Sequence, residues 1–175
     1  MKASAHLMDM LVGYAAAHQN PFNIIVHLIG IPVIMFGLAI ALSWVSAGAD
    51  VLSINLAYVL VLGLFAYYFT LDKLFALAFL AYAMLIAVFA TRVGLQPLAE
   101  SGVIAAAAFF GGYLAQFIGH AVEKSIPVVL KHPIQAHIAA PFFVVVDVFK
   151  IIGLRPQLFD AVQREIAVQR ESQPA

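Results

Sequence analysis

The histidines are the side chains of this sequence best suited to chemistry. They lie at positions 6, 18, 27, 120, 132 and 137. Neutral imidazole is the commonest metal ligand in proteins, and clustered histidines with a carboxylate and no thiolate suit Fe(II) or Zn(II), with iron favoured when the reaction uses oxygen. The sequence has no cysteine. We therefore predict a metal site that keeps an open position for substrate.

The first group of candidates surrounds Asn20-Pro21. Asn is a favoured N-cap and Pro a favoured first helical residue, so a new helix is expected to begin here. A break at this point can fold the preceding segment back and aim His18 and His27 at one place, whereas in one continuous helix the two rings would face apart. Asn23 lies four residues before His27 on the same helical face, where it can orient the ring or line the same pocket. We name His18 and His27 as metal ligands and Asn23 as a catalytic candidate.

The second group lies far along the chain. His120 and Glu123 are three residues apart and occupy neighbouring positions of one helical face. We predict His120 as a metal ligand and Glu123 as a catalytic carboxylate. His132 stands before a proline in a constrained loop and is a further candidate ligand. For His6 and His137 the favoured interpretation is an interfacial side chain bonded to water or carbonyl groups, and that interpretation stays open for the other histidines too.

The composition shows what must position these side chains. Hydrophobic residues make up 64% of the 175 residues, charged residues only 10%, and the mean hydropathy is +1.00. Soluble domains carry about 25% charged residues. The apolar residues are gathered into long runs with the charges between them, as membrane insertion requires. The sequence therefore predicts an all-α bundle of about four transmembrane spans, forming one domain over residues 1–175.

The runs divide the chain into four regions: an interfacial helix over 1–20, four spans within 21–120, a cytoplasmic-face loop with a re-entrant or interfacial helix over 121–155, and a soluble tail over 156–175. The expected spans cover residues 22–45, 51–70, 74–91 and 102–119.

Two features concern the last expected span and the apolar segment that follows it. The Gly111-Gly112 pair in the last expected span would let a neighbouring backbone approach closely. Residues 138–152 are apolar but short and contain Pro141 and Asp147, which disfavours a fifth span. For Asp147 itself, a ligand, a partner of a ligating histidine and a solvated side chain all stay open.

The positive charges predict the orientation. With four spans, all Lys and Arg residues except Arg92 fall on one side of the membrane: Lys2, Lys73, Lys124, Lys131, Lys150, Arg155, Arg164 and Arg170. The positive-inside bias then places both termini in the cytoplasm, at the inner membrane of a bacterium or the endoplasmic reticulum of a eukaryote. Every histidine lies at or near that face.

Several classes of protein are disfavoured. The formal net charge is zero, which argues against a nucleic-acid partner. No Walker, Rossmann, Ser-His-Asp or H-E-x-x-H pattern is present. The N-terminus lacks the order of a cleaved signal peptide, so we expect the first span to be retained.

Four segments resemble the family of the yeast 2-hydroxy fatty acid dioxygenase, in the same order and with the same spacing: His18–Asn23, Ile25–Pro32, Gln116–Lys124 and Ala140–Val144. The resemblance covers nearly the whole chain. It implies an Fe(II)-dependent dioxygenase that shortens 2-hydroxy fatty acids by one carbon without 2-oxoglutarate, with His18, His27, His120 and Glu123 in the matched motifs. The implied partners are a 2-hydroxy fatty acid, molecular oxygen and membrane lipid.

The chemistry of such a substrate fits this topology. A metal at the level of the lipid headgroups, with the acyl tail between helices, would present the reacting carbons to iron. Two other functions stay open, a di-metal lipid hydroxylase or desaturase and a non-enzymatic membrane scaffold or lipid-binding protein. Assembly into a homo-oligomer is also open.

Overall fold

The computed structural model describes residues 5–17, 20–47, 54–131 and 133–171. These residues are almost entirely helical, which confirms the predicted all-α class. The elements in chain order are α1 (Ala5–Ala17), α2 (Pro21–Ser43), β1 (Ser46–Ala47), β2 (Ile54–Asn55), α3 (Leu56–Leu71), α4 (Lys73–Gly94), α5 (Leu98–Glu123), α6 (Val128–Lys131), α7 (Pro133–Ile151) and α8 (Pro156–Glu171). Strands β1 and β2 pair antiparallel.

Helix α2 begins at the position that the sequence predicts. The Asn20 side chain accepts a hydrogen bond from Phe22 N–H at 2.9 Å, and Pro21 is the first helical residue. The side-chain oxygen satisfies a helix N–H that has no partner in the helix, while Pro has no N–H to leave unpaired. This cap fixes the register of the helix that carries Asn23 and His27.

Within the described residues, four helices are long and apolar enough to cross a membrane, namely α2, α4, α5 and α7. This is compatible with the predicted integral membrane protein. The set nevertheless differs from the expected spans. Helix α3, expected as a span, has 16 residues and is shorter than these four, whereas α7 has 19 residues and begins at Pro133 rather than near residue 138.

The segment after residue 120, which its prolines predict to be a loop, is largely helical. Helix α5 continues to Glu123, α6 begins directly after Pro127, and Pro133 is the first residue of α7. Proline breaks a helix in its interior but is favoured at the first position, so both prolines serve as helix starts. Only residues 124–127 and the undescribed position 132 separate these helices.

Helix α2 is the centre of the bundle and packs against α3, α4, α5 and α7. Its most extensive partner is α5, which runs antiparallel to it, since Gly37 lies against Phe109 while Gly30 lies against Gly112. Of the pair predicted to allow close approach, only Gly112 faces α2. A Cβ on Gly111 would have open space around it among the described residues, because adjacent residues point in different directions from a helix.

The contacts of α4 fix the directions of the other long helices. The Tyr82 hydroxyl oxygen lies 3.4 Å from Met35 Sδ, and Gly94 lies beside Ser43, so α4 runs parallel to α2. The turn between α3 and α4, at Asp72, therefore lies at the same end of the bundle as the start of α2 and the end of α5. We call this the site end of the bundle.

Helix α7 begins partway along the bundle and ends at the site end. The Pro141 carbonyl accepts a hydrogen bond from Tyr82 O–H at 2.7 Å, near the middle of α4. Directly after α7, Arg155 Nη1 donates to Asp72 Oδ2 at 2.7 Å. The chain thus returns to the end at which it left α5. This arrangement agrees with a re-entrant segment, which stays a prediction although α7 is long enough to span.

Replacing Gly37 by alanine is expected to lower the free energy of unfolding by on the order of 1–3 kcal/mol, because overpacking forces neighbours apart. The new Cβ would lie 2.6 Å from backbone atoms of Ala105 and Phe109, so α2 and α5 must separate. The measurement is unfolding by SDS titration of the detergent-solubilised protein, followed by circular dichroism.

Gly111→Ala is the matched control for this substitution. It lies in the same pair of helices, and its Cβ meets nothing within 4 Å among the described residues. We expect a change within about 0.5 kcal/mol there. Equal stability of the Gly37→Ala and Gly111→Ala proteins would contradict the close approach of α2 and α5.

Candidate functional site

His27 and His120 meet at the site end of the bundle. Their ring centroids are 5.0 Å apart, with the ring planes at 82°. Both side chains are buried, with 7% and 6% of their surface exposed. His27 lies near the start of α2 and His120 near the end of α5, so the antiparallel packing of these helices brings them together. The two residues belong to the two distant groups that the sequence analysis selected.

A hydrogen bond within α2 fixes the orientation of the His27 ring. Its Nδ1 lies 2.9 Å from the carbonyl oxygen of Asn23. A carbonyl oxygen can only accept, so Nδ1 carries a proton. Metal-binding histidines in proteins are usually held in this way, with one ring nitrogen donating to a carbonyl or carboxylate group.

Residues at the end of α5 contact the His120 ring in a similar way. Lys124 adopts a left-handed backbone conformation with φ of 57°, which turns the chain back toward the helix. Ser125 N–H then donates to the His120 carbonyl at 3.0 Å, and Ser125 Oγ lies 2.8 Å from His120 Nδ1. The hydroxyl can donate or accept here. Both imidazoles are therefore oriented through Nδ1.

Glu123 connects the end of α5 to the start of α2. Its carboxylate accepts a hydrogen bond from the backbone N–H of Asn20 at 2.9 Å and another from the Asn23 side-chain amide. Asn23 is fully buried. Its side chain binds Glu123, and its carbonyl binds His27, so these residues form one connected network beside the two rings.

The remaining predicted ligands, His18 and His132, lie outside the described residues. Among the residues that the structure describes, no group of three or more His, Cys, Asp or Glu side chains could hold a metal ion. The described part of the site thus supplies two imidazoles. Their donor chemistry and their Nδ1 contacts suit a metal. A metal bound there would need further ligands beyond these two side chains.

A cavity of about 750 Å³ lies beside the two rings and is lined by both of them. Its wall carries polar side chains from α1, α5 and α7: His6, Asp9, Tyr14, Tyr113, Gln116, Gln135 and His137. Along the rest of α2, α3 and α4 the wall is apolar: Ile31, Ile34, Met35, Leu38, Leu42, Leu60, Val61, Leu64 and Ile86. The cavity therefore combines polar groups on one side with a long apolar wall on the other, which suits an amphipathic molecule.

His137 also lines this cavity, and its interpretation as an interfacial side chain stays a prediction, since the side chain is exposed and bonded to a carbonyl group. Its Nδ1 donates to the Pro133 carbonyl at 2.6 Å, and its Nε2 accepts a hydrogen bond from the Tyr113 hydroxyl. The sequence analysis also missed Tyr113 and Gln116. A signal for both was present, because they lie seven and four residues before His120 and share its helical face.

Asp147 is buried, with 6% of its surface exposed, and accepts a hydrogen bond from the Tyr14 hydroxyl at 2.6 Å. The Tyr14 ring stacks on Phe143 with centroids 3.8 Å apart. Burial and the neighbouring Asp147 carboxylate raise the pKa of Tyr14 well above its ordinary value, so the hydroxyl stays protonated and keeps donating. Of the three alternatives for Asp147, the solvated side chain is excluded. The contact instead attaches α1 to α7 beside the cavity.

Comparison with known proteins identifies the class to which this fold and site belong. Residues 4–151 match the family described as "Mpo1-like: 2-hydroxy-palmitic acid dioxygenase Mpo1-like", and the chain belongs to this family. The chain is 29% identical over 171 residues to 2-hydroxy-palmitic acid dioxygenase MPO1 of Saccharomyces cerevisiae, which covers 95% of this chain and 92% of the yeast protein. No solved structure matches the chain. The resemblance drawn from the sequence motifs is confirmed.

Glu123→Gln is expected to destabilise the protein by about 1–3 kcal/mol, because the new amide N–H₂ group would face one of the two donors that the carboxylate now satisfies. Thermal unfolding in detergent measures the effect. Glu100→Gln makes the same substitution on an exposed side chain at the start of the same helix and should change stability little. If both variants unfold at the same temperature, Glu123 does not hold α2 to α5.

Proposed function

We propose that this protein is an iron-dependent dioxygenase that shortens 2-hydroxy fatty acids by one carbon. Membership of the Mpo1-like family supports the substrate class, as does the name of the yeast relative. The observation that carries the proposal is the meeting of two buried imidazoles in the wall of a cavity that is otherwise apolar along α2, α3 and α4. A 2-hydroxy fatty acid has the same polarity pattern.

The proposed reaction balances with oxygen as its only oxidant. A 2-hydroxy acid and O₂ yield the carboxylic acid one carbon shorter, carbon dioxide and water. The bond between the carboxyl carbon and the hydroxyl-bearing carbon breaks, and O₂ takes up all the electrons that are removed. No organic co-substrate such as 2-oxoglutarate is required.

His18, His27, His120 and His132 are the residues proposed to hold the iron. Iron held by these residues would supply the redox chemistry with O₂ that the reaction requires. A donor set of imidazoles without thiolate suits this metal. In the two described rings, Nδ1 of His27 contacts the Asn23 carbonyl and Nδ1 of His120 contacts Ser125 Oγ.

Asn23 and Glu123, predicted as catalytic residues, act in this proposal by positioning the ligands. The Asn23 carbonyl orients His27, and the Glu123 carboxylate holds Asn23 and the start of α2 against α5. The polar wall, including Gln116, lies where the substrate carboxylate and hydroxyl would bind. The apolar wall surrounds the acyl chain and keeps water from the reacting carbons.

Loss of either described imidazole is expected to remove the metal. We expect His27→Ala and His120→Ala to lose bound iron and turnover of 2-hydroxypalmitate, and His18→Ala and His132→Ala to do the same. His137→Ala should retain iron, because its ring nitrogens already bind Pro133 and Tyr113. Elemental analysis of protein purified without a histidine tag is the measurement.

The same analysis separates the competing functions. One iron per chain is the expected stoichiometry, and two metals per chain would indicate a di-metal hydroxylase instead. Metal content that is equal in the parent protein and in all four ligand variants would contradict the proposal and favour a scaffold or lipid-binding protein.

We further propose that both chain termini and the site end of the bundle face the cytoplasm, as the distribution of Lys and Arg predicts. The absence of cysteine allows a direct test with single introduced thiols. Gln163→Cys in α8 and Gln96→Cys between α4 and α5 replace exposed side chains. A membrane-impermeant maleimide added to intact cells or sealed microsomes should label only one of them.

In intact bacterial cells, Gln96→Cys is expected to react and Gln163→Cys to react only after the membrane is opened. In microsomes, whose outer face is cytoplasmic, the order reverses. Labelling of both thiols from the same side would show that α7 crosses the membrane and would contradict the re-entrant interpretation.

A further inference from the structure

Small side chains line the apolar body of the cavity far from the histidines. They are Ala39 of α2, Ala57 of α3 and Ala87 of α4, and each has 8% or less of its surface exposed. An alanine extends no further than Cβ, so these positions leave space that larger residues would fill. Three helices therefore contribute small residues to one part of the wall.

This part of the cavity lies at the end of the bundle opposite the histidines, where the helices are fastened together. The pairing of β1 with β2 connects the end of α2 to the start of α3. Asn55, which caps α3, also donates a hydrogen bond from its side-chain amide to Thr91 Oγ1 of α4 at 3.0 Å. These contacts hold α2, α3 and α4 together at that end.

The length of the cavity matches a long acyl chain. Along α2, its wall runs from His27 to Leu42. At a rise of about 1.5 Å per residue this corresponds to about 22 Å. In an extended chain of about sixteen carbons the C–C bonds of about 1.5 Å follow a zigzag, so the chain spans roughly 19 Å. A chain of this length would extend from the imidazoles to the alanines.

The direction of such a chain follows from the polarity of the wall. Burying a carboxylate in an apolar environment without hydrogen-bond partners costs several kcal/mol or more. The two imidazoles and Gln116, one turn before His120, lie at the site end, and the alanine end is lined by apolar residues. The carboxylate must therefore lie at the site end and the terminal methyl group at the alanine end.

We propose that Ala39, Ala57 and Ala87 receive the methyl end of the acyl chain and set the longest chain that the protein accepts. The identity of the head group at the other end rests on the proposed function. The three alanines are thus specificity-determining residues that lie far from the reacting carbons.

Ala87→Leu and Ala87→Val test this role in the full-length protein reconstituted in lipid nanodiscs. We expect Ala87→Leu to weaken binding of 2-hydroxy acids of sixteen and eighteen carbons by about tenfold, because a lost methylene contact in an apolar pocket changes affinity by about that factor or more. The twelve-carbon acid should change by less than about twofold, and Ala87→Val should lie between. Competition with a fluorescent fatty acid measures binding, and turnover is measured on the same series.

Ala90→Leu is the matched control. Ala90 is as buried as Ala87 and lies three residues further along α4, but it is not among the residues that line the cavity. Its substitution should lower affinity for every chain length by the same factor. If Ala87→Leu also weakens all lengths equally, or if Ala90→Leu shifts the preference to shorter chains, the proposed role is overturned.

The two readouts distinguish this inference from the proposed function. A binding preference that shortens in Ala87→Leu, with no turnover of any acid by the parent protein, would support the chain-length role and contradict the dioxygenase reaction. Turnover with the same relative rates for all lengths in both proteins would support the reaction and overturn the chain-length role.

Discussion

The close antiparallel contact between α2 and α5 is the constraint on which the rest of the site depends. Gly30 and Gly37 on one helix and Gly112 and Gly119 on the other allow the backbones to approach. Two of these glycines lie within three residues of the histidines in sequence, since Gly30 follows His27 and Gly119 precedes His120. The positions that permit close packing are thus the positions that bring the imidazoles together. A bulkier pair of helices would keep the same histidines but hold them apart.

Beside this contact, Asn23 and Glu123 each make two polar contacts. The Asn23 carbonyl orients an imidazole, while its side-chain amide binds Glu123, which in turn binds the backbone of Asn20. Buried polar groups are costly unless they are bonded, so a shared network is a stable way to place them in a bundle that is otherwise apolar. The orientation of the rings and the attachment of α2 to α5 are consequently coupled.

Much of this arrangement could be predicted from the sequence, because it depends on local spacing. The Asn20-Pro21 helix start, the all-α class and the selection of His27 and His120 from distant segments required only capping rules, hydropathy and helical periodicity. Tertiary geometry decided the rest. Only packing shows that Gly112 rather than Gly111 meets α2 and that Pro133 begins a helix, and it also places His137 and Tyr14 beside the cavity. The roles predicted for His18 and His132 stay predictions, since these residues lie outside the described part of the chain.

The proposed binding of the methyl end at the alanines also has a consequence for turnover. In that proposal a substrate of fitting length contacts both the imidazoles and the alanines, whereas the product, which has lost one carbon and its hydroxyl group, would be too short to contact both. Each methylene withdrawn from apolar contact weakens binding. The dimension proposed to select the incoming acid would therefore favour release of the shortened one into the surrounding bilayer.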